Sequence, residues 1–289
     1  MATSSSNNTR EDFDPPIVLG GGLFAQDDDD SDDDLLSAQE VEEEARLGQQ
    51  KSFLFADLNL EVRELGYSAT NAAYVWPNGG RLATLLSSGP PRPSPLLLEL
   101  GSGTGILSIY LRRKGWHVVS SDYDEAAIEE NIAHNCRLND VPHHHVPHTW
   151  GTPFPFDLLR ARFAAIGDTT RHDVDVVAAS DILLYAEQYD NLVDSLGQLF
   201  RHAHEAKLAR RREKECEEGA AAAEAEGLVV EGTRYGYPVF LLNVARRLKS
   251  TPDFFAKMER AGFEIHHLRD VGSNVAITHT RFNSLAPHT

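Results

Sequence analysis

The sequence predicts an α/β fold with a doubly wound, mostly parallel sheet of seven strands that ends on an antiparallel C-terminal hairpin strand. Three observations carry this. Leu96-Leu97-Leu98 is an apolar run of the kind that forms a parallel strand buried on both faces. It leads into Glu99-Leu100-Gly101-Ser102-Gly103-Thr104-Gly105 and then Ile106-Leu107-Ser108-Ile109-Tyr110-Leu111, a glycine-rich turn feeding a helix. A second strand, Trp116 to Ser121, ends at Asp122 about 20 residues beyond the turn, which completes a Rossmann-like half-site for a nucleoside-bearing ligand.

The other elements follow from pattern. Residues 1–50 form an acidic tail, and residues 51–95 an extension that packs on the core domain of residues 96–289. Within the extension, Phe53, Phe55, Leu58, Leu60 and Val62 alternate with one slip, which suggests a short strand or a hairpin with a bulge. A helix follows through Leu82, Leu85 and Leu86, and Gly89 to Pro95 is a rigid linker into the first core strand. Asp124 to Leu138 reads as a helix with Asp124 as N-cap and Ile128, Ile132 and Cys136 on one face. His143 to Thr149 is a third core strand and Asp173 to Ser180 a fourth, ending at Asp181. Residues 188–204 return as a helix. The charged, Ala/Glu-rich stretch at about 205–227 is a solvated helix extension or a disordered insertion. Tyr237 to Val244, Pro252 to Ala261, and the pair Phe263 to Leu268 and Asn274 to Thr280 supply a strand, a helix and the closing hairpin. Ligands in such sheets bind at the carboxyl ends of the strands, where Gly101, Asp122 and Asp181 fall.

The glycine spacing narrows the ligand. A dinucleotide fingerprint reads G-x-G-x-x-G and seats a pyrophosphate. Here Gly101, Gly103 and Gly105 read G-x-G-x-G with Glu99 just before them. A carboxylate there repels a pyrophosphate and suits a ligand with an ammonium group. S-adenosylmethionine carries an amine and a sulfonium and no phosphate, and Asp122 is placed to accept hydrogen bonds from its ribose.

Charge and composition set further bounds. Fourteen acidic residues lie in residues 1–44 with Arg10 as the one basic residue there, so most of the net charge of −17 is local to the tail. Such a tail reads as disordered; it attracts a basic partner by long-range steering or simply solubilises the chain. No apolar stretch long enough for a membrane span and no secretory leader is present, and Cys136 and Cys216 have no metal or redox spacing. The expectation is a monomer in a reducing compartment, the cytoplasm first, with the nucleus as an alternative or additional location. His143-His144-His145 with His148 lack carboxylate or cysteine at ligand spacing and read as an exposed strand with no metal. Arg210-Arg211-Arg212 is a short basic island in an acidic chain and gives little support to nucleic-acid binding.

Several segments together resemble methyltransferase family 16, the methyltransferase-like protein-lysine methyltransferases within the class I, seven-stranded S-adenosylmethionine-dependent enzymes. The resemblance rests on Tyr74-Val75-Trp76-Pro77, on the Glu99–Gly105 loop with Ser121-Asp122 and a helix bearing Asn131 and Asn135, on His148-Thr149-Trp150-Gly151, and on Ser180-Asp181-Ile182-Leu183-Leu184-Tyr185. Arg246-Arg247, Phe254-Phe255 and Gly262-Phe263 extend it, over residues 50–280 in all. It implies that Glu99 faces the amino acid end of the cofactor, that the three glycines form its floor, that Asp122 binds the ribose, and that Trp150 and Trp76 pack against it. It further implies that Asp181 and Tyr185 line the mouth where the methyl group meets its acceptor. In this sequence Tyr185 stands four residues after Asp181, where the family usually has three. The acceptor is then a protein side-chain nitrogen, lysine first. Arginine, a small molecule, RNA, or a binding protein without turnover remain alternatives.

Overall fold

The computed structural model describes residues 48–66, 71–76, 78–88, 90, 94–167, 173–218, 227–244, 248–268 and 274–279. The acidic tail to residue 47, the end of the 205–227 segment, Pro77 and Arg246-Arg247 lie outside them.

Seven strands form the central sheet. Three are β3 (Leu96–Leu100), β4 (His117–Asp122) and β5 (His145–Pro147); the others are β6 (Val176–Ser180), β9 (Val239–Asn243), β10 (Phe263–His267) and β11 (Asn274–His279). Their order is β10-β11-β9-β6-β3-β4-β5. All neighbours from β5 to β9 pair parallel, and β11 runs antiparallel to both β9 and β10. The order reverses between β3 and β6, so the carboxyl ends of these strands open a crevice there.

Strand alternation builds two cores. Leu97, Val118, Val176, Ala178 and Leu241 face α1 (Gly79–Leu85), α2 (Ile106–Arg113) and α3 (Ala126–Leu138). Leu96, Leu98, Val119, Val177 and Leu242 face α4 (Phe156–Ile166), α5 (Tyr189–Glu218) and α6 (Thr251–Arg260). Every residue of β3 is buried, which is why it reads as an unbroken apolar run interrupted only by Glu99.

The N-terminal strands β1 (Gln49–Phe55) and β2 (Leu58–Glu64) form a separate two-stranded sheet. The slip in their alternation is a two-residue turn, and no bulge is present: Phe55 pairs with Leu58, and Ala56 adopts the left-handed conformation such turns need (φ 52°). Asp57 in the turn accepts hydrogen bonds from Tyr110 Oη (2.7 Å) and Lys114 Nζ (2.5 Å) on the α2 side.

The outer edge of β2 meets the asparagines of α3. Asn139 Oδ1 accepts the Glu61 N–H (3.1 Å) and its Nδ2 donates to Glu61 O (2.6 Å). Asn135 does the same for Arg63, accepting N–H at 2.7 Å and donating to O at 3.2 Å, while Asn131 accepts from Arg63 Nε at 2.8 Å. One helical turn of four residues rises about 6 Å and two strand residues about 6.7 Å, so a helix face stands in for a paired strand.

Several sequence expectations are corrected. Asp124 is not the N-cap of α3: Glu125 holds that position, with no side-chain cap hydrogen bond. The histidine strand is not exposed, since His145 and His148 are buried beside Arg162 and Ser195. Helix α4 went unmarked although Leu159 and Phe163 recur at helical spacing, as did the hairpin of β7 (Gly227–Val230) and β8 (Thr233–Gly236). Residues 205–218, by contrast, continue α5 as the expected helix extension, and Arg210 of the basic island is paired with buried Asp173. No helix among the described residues is long and apolar enough to cross a membrane.

Candidate active site

The glycine loop leaves β3 through three left-handed residues, Gly101 (φ 66°), Gly103 (φ 54°) and Gly105 (φ 81°), a conformation costly for any residue with a Cβ. Space is restricted as well at Gly101, where a Cβ would stand 2.5 Å from Ile182 Cγ2. Ser102 stitches the loop to β4: its N–H and Oγ both donate to Ser121 O (3.1 and 3.0 Å).

Asp122 ends β4 with its carboxylate turned onto this loop. Oδ2 accepts the Gly103 N–H at 2.6 Å and Oδ1 accepts the Tyr123 N–H at 2.7 Å. Burial raises its pKa, and these two hydrogen bonds pull it back down. Each oxygen keeps a lone pair for a further donor such as a diol.

Glu99 lies beneath the loop, fully buried in β3, where Ser108 Oγ of α2 donates to its Oε2. Burial pushes its carboxyl up to about 7, against the Ser108 hydrogen bond and the nearby Arg112 guanidinium. A cation seated above the loop would return it to the charged form.

Trp150 is half-buried beside the glycine loop, with its Cζ2 4.0 Å from the Cβ position of Gly101. Its turn is anchored: His148 N donates to Asp122 O (2.8 Å), and Ser195 Oγ accepts the Gly151 N–H (3.0 Å) and shares a hydrogen bond with His148 Nε2 (2.9 Å). Burial holds His148 low, at about 4, so its ring is neutral at physiological pH.

Asp181 follows β6 in a left-handed conformation (φ 56°), its N–H donating to Asn243 O at 3.2 Å. Non-glycine residues in that region are uncommon and mark sites held by their surroundings. Asn78 Nδ2 donates to Asp181 Oδ1 at 3.2 Å, and Asn71 Nδ2 donates to Tyr185 Oη at 2.6 Å. Trp76, half-buried, donates Nε1 to Asn71 O at 3.1 Å.

The structure therefore gathers Gly101, Gly103, Asp122, Trp150 and Asp181 at the carboxyl ends of adjacent strands, with Glu99 below. Tyr185 and Trp76 join through Asn71. Sequence reasoning missed Asn71, Asn78, Ile182, Ser108, His148 as an anchor, and Asn243, fully buried at the end of β9. The only sequence hint was Asn78, one residue beyond Trp76-Pro77. A separate open cleft of about 840 Å³ between α5 and the C-terminal strands, lined by Asp190, Asp194, Arg201 and Arg260, includes none of these residues.

A seven-stranded sheet of this order, with a G-x-G-x-G loop and a terminal aspartate on the next strand, defines a class I S-adenosylmethionine-dependent methyltransferase. The family model described as lysine methyltransferase matches residues 55–219, and the chain belongs to that family, whose cofactor is S-adenosylmethionine. The residues present suit this group: three left-handed glycines that allow close approach of the backbone, the buried Asp122 carboxylate that can accept from a diol, and the buried Glu99 carboxylate that suits a cation.

No curated protein matches the chain in sequence. Among solved structures, the 16S rRNA N2 G1207 methyltransferase of T. thermophilus, in complex with AdoMet and guanosine, is 17% identical, with a TM-score of 0.44 over 80% of this chain and 50% of its own. The Pyrococcus abyssi tRNA (uracil-54, C5)-methyltransferase, with S-adenosyl-L-homocysteine, is 14% identical, with a TM-score of 0.40 over 79% of this chain and 43% of its own. The ribosomal protein L11 methylase of Lactobacillus delbrueckii subsp. bulgaricus is 15% identical, with a TM-score of 0.37 over 64% and 70%. The chain spans about half the length of the rRNA enzyme and less of the tRNA enzyme.

Proposed function

We propose that this protein transfers a methyl group from S-adenosylmethionine to a side-chain nitrogen of a protein, lysine first. The observation that carries the reading is that Asp181 and Tyr185, on the segment after β6 whose Ile182 lies against Gly101, are each held by an asparagine of the N-terminal extension. A carboxylate and a phenol ring together suit a long cationic side chain: the carboxylate accepts hydrogen bonds from the ammonium and the ring offers a cation–π face.

In this reading Asp122 holds the ribose, Gly101, Gly103 and Gly105 leave room for the backbone to approach the cofactor, and Trp150 and Trp76 form apolar walls. Glu99 supplies negative potential beneath the amino acid end. When bound, S-adenosylmethionine supplies the electrophilic methyl group, with a neutral thioether as leaving group. The residues of this chain have three tasks: to align the acceptor nitrogen with the S–CH3 bond, to keep water out, and to let the acceptor lose its proton. A free lysine titrates near about 10.4, so deprotonation precedes attack. Positioning of this kind is worth on the order of 7–11 kcal/mol. Asp181 holds the ammonium before its proton leaves to solvent.

The test is incubation of the full chain with methyl-labelled S-adenosylmethionine and a cell extract, followed by mass spectrometry of the labelled sites. Label on lysine supports the proposal. Label confined to arginine or RNA would replace the acceptor, and failure to bind S-adenosylhomocysteine would remove the enzyme reading altogether.

A further inference from the structure

We propose that Asn71, at the start of the segment 71–76, a strap that lies over the glycine loop, and Asn78 are positioning residues that set the acceptor side of the site from the N-terminal extension; this rests on the function proposed above.

The strap is built from the hairpin outward. Glu64, the last residue of β2, accepts the Val75 N–H at 2.7 Å through Oε1, and Leu65 N donates to Ala73 O at 3.1 Å. These bonds turn residues 71–76 back over the glycine loop. Gly103 lies directly beneath: a Cβ there would stand 3.6 Å from Ala72 O and 4.0 Å from Tyr74 O. Ala72 and Ala73 are buried against this surface, so the strap is seated on the core.

The two amides then reach the two acceptor-side groups. Asn78 Nδ2 meets Asp181 Oδ1 at 3.2 Å, and Asn71 Nδ2 meets Tyr185 Oη at 2.6 Å. The Asn71 carbonyl is itself fixed by Trp76 Nε1, so the Asn71 backbone does not swing independently of the Trp76 ring. An amide donor on Oδ1, with Ser180 Oγ donating to Oδ2 at 3.5 Å, orients the carboxylate that the acceptor would meet. An amide donor on the phenol oxygen fixes the ring plane that the acceptor's cation would meet. Both are geometric services, delivered by a segment that lies outside the central sheet. Acceptor choice is accordingly written in the extension as well as in the core.

The test uses sinefungin, in which a carbon bearing a primary amine replaces the methyl-bearing sulfonium of S-adenosylmethionine, against S-adenosylhomocysteine, which carries nothing at that position. Calorimetric affinities for both are measured on the full-length wild type and on Asp181→Asn, Asn78→Ala and Asn71→Ala. Wild type is expected to prefer sinefungin about tenfold, the worth of a charge-assisted hydrogen bond. Asp181→Asn and Asn78→Ala should lose most of that preference and Asn71→Ala about threefold of it, all with S-adenosylhomocysteine affinity within threefold of wild type. Asn78→Asp, which sets a like charge against Asp181, provides a second variant should Asn78→Ala fail to fold. Strap variants that keep the wild-type preference, or that weaken both ligands equally, overturn the positioning role and leave the proposed function standing. A wild type without preference overturns the acceptor-side assignment of Asp181 and this inference with it. A wild type that binds neither ligand overturns the proposed function itself.

Discussion

Asn135 bonds both polar groups of the Arg63 main chain and, with the same side chain, the carbonyl of Thr104 in the glycine loop (2.9 Å). One buried amide thus joins the N-terminal hairpin to the loop that leaves β3. Asn135→Leu keeps the branched shape and takes this partner from the Arg63 N–H and from the Arg63 and Thr104 carbonyls, at about 1–3 kcal/mol for each group left buried and unsatisfied. Urea denaturation of this variant should show a loss of about 2–5 kcal/mol. A loss below 1 kcal/mol would mean that water replaces the amide and that the hairpin is held by its apolar face.

Gly101 and Gly115 offer a matched comparison. Both are left-handed, at φ 66° and 86°, yet a Cβ at Gly115 meets nothing within 4 Å while one at Gly101 meets Ile182 at 2.5 Å. Gly115→Ala should cost about 1 kcal/mol of stability and leave S-adenosylhomocysteine binding unchanged. Gly101→Ala should cost more, about 2–4 kcal/mol, and weaken binding at least tenfold, as read by chemical denaturation and calorimetry. Equal effects of the two would show that backbone conformation, not the close approach, governs the loop.

Glu99 links cofactor binding to protons. With its carboxyl pushed up to about 7 by burial, it is half-protonated at neutral pH in the free protein. A bound cation lowers that pKa, so S-adenosylmethionine binding at pH 7 should release up to about half a proton and strengthen as pH rises from 6 to 8. Calorimetry in buffers of different ionisation enthalpy reads the release directly, and Glu99→Gln should abolish it. Proton uptake on binding would contradict the placement of the ammonium above Glu99.

The histidines make the fold sensitive to acid. Burial holds His143, His144 and His148 at about 4 and His145 at about 3, below the ordinary 6.5. Because the unfolded chain binds these protons more readily, their contribution is fully present above pH 6.5 and is lost as pH falls through about 4. Glu99 has the opposite sign, its raised pKa lowering stability as pH climbs from 4.5 to 7. With four histidines against Glu99 and Asp122, whose pKa burial also raises, thermal denaturation should show a melting temperature that falls between pH 6.5 and 4. His145→Asn should shallow that slope, and a flat profile would refute the burial argument.

Legibility in the sequence followed the range of the interaction. β3, the glycine loop and Asp122 could be read because strand, turn and ligand chemistry are contiguous in the chain. The bulge expected near Phe55 became a turn because a single slip in alternation has the same pattern in both cases. The histidines misled because polar residue types imply exposure, while Arg112 donates to the His144 and Pro142 carbonyls and Arg162 to that of His145 and so cover the edge strand. Asn71 left no signal and Asn78 only its place beside Trp76-Pro77, since each acts on a partner more than 100 residues away.

The asparagine face of α3 grips main chain at Glu61 and Arg63, and main chain is common to every residue except proline in its N–H. The joint is therefore indifferent to most spelling at Glu61, while at Arg63 Asn131 also accepts from the side-chain Nε. Related chains can rewrite the exposed side of the hairpin, and with it whatever approaches the strap, without disturbing how the hairpin is fastened. Variation in this protein's N-terminal extension is mechanically cheap at the place where it would most change what the site admits.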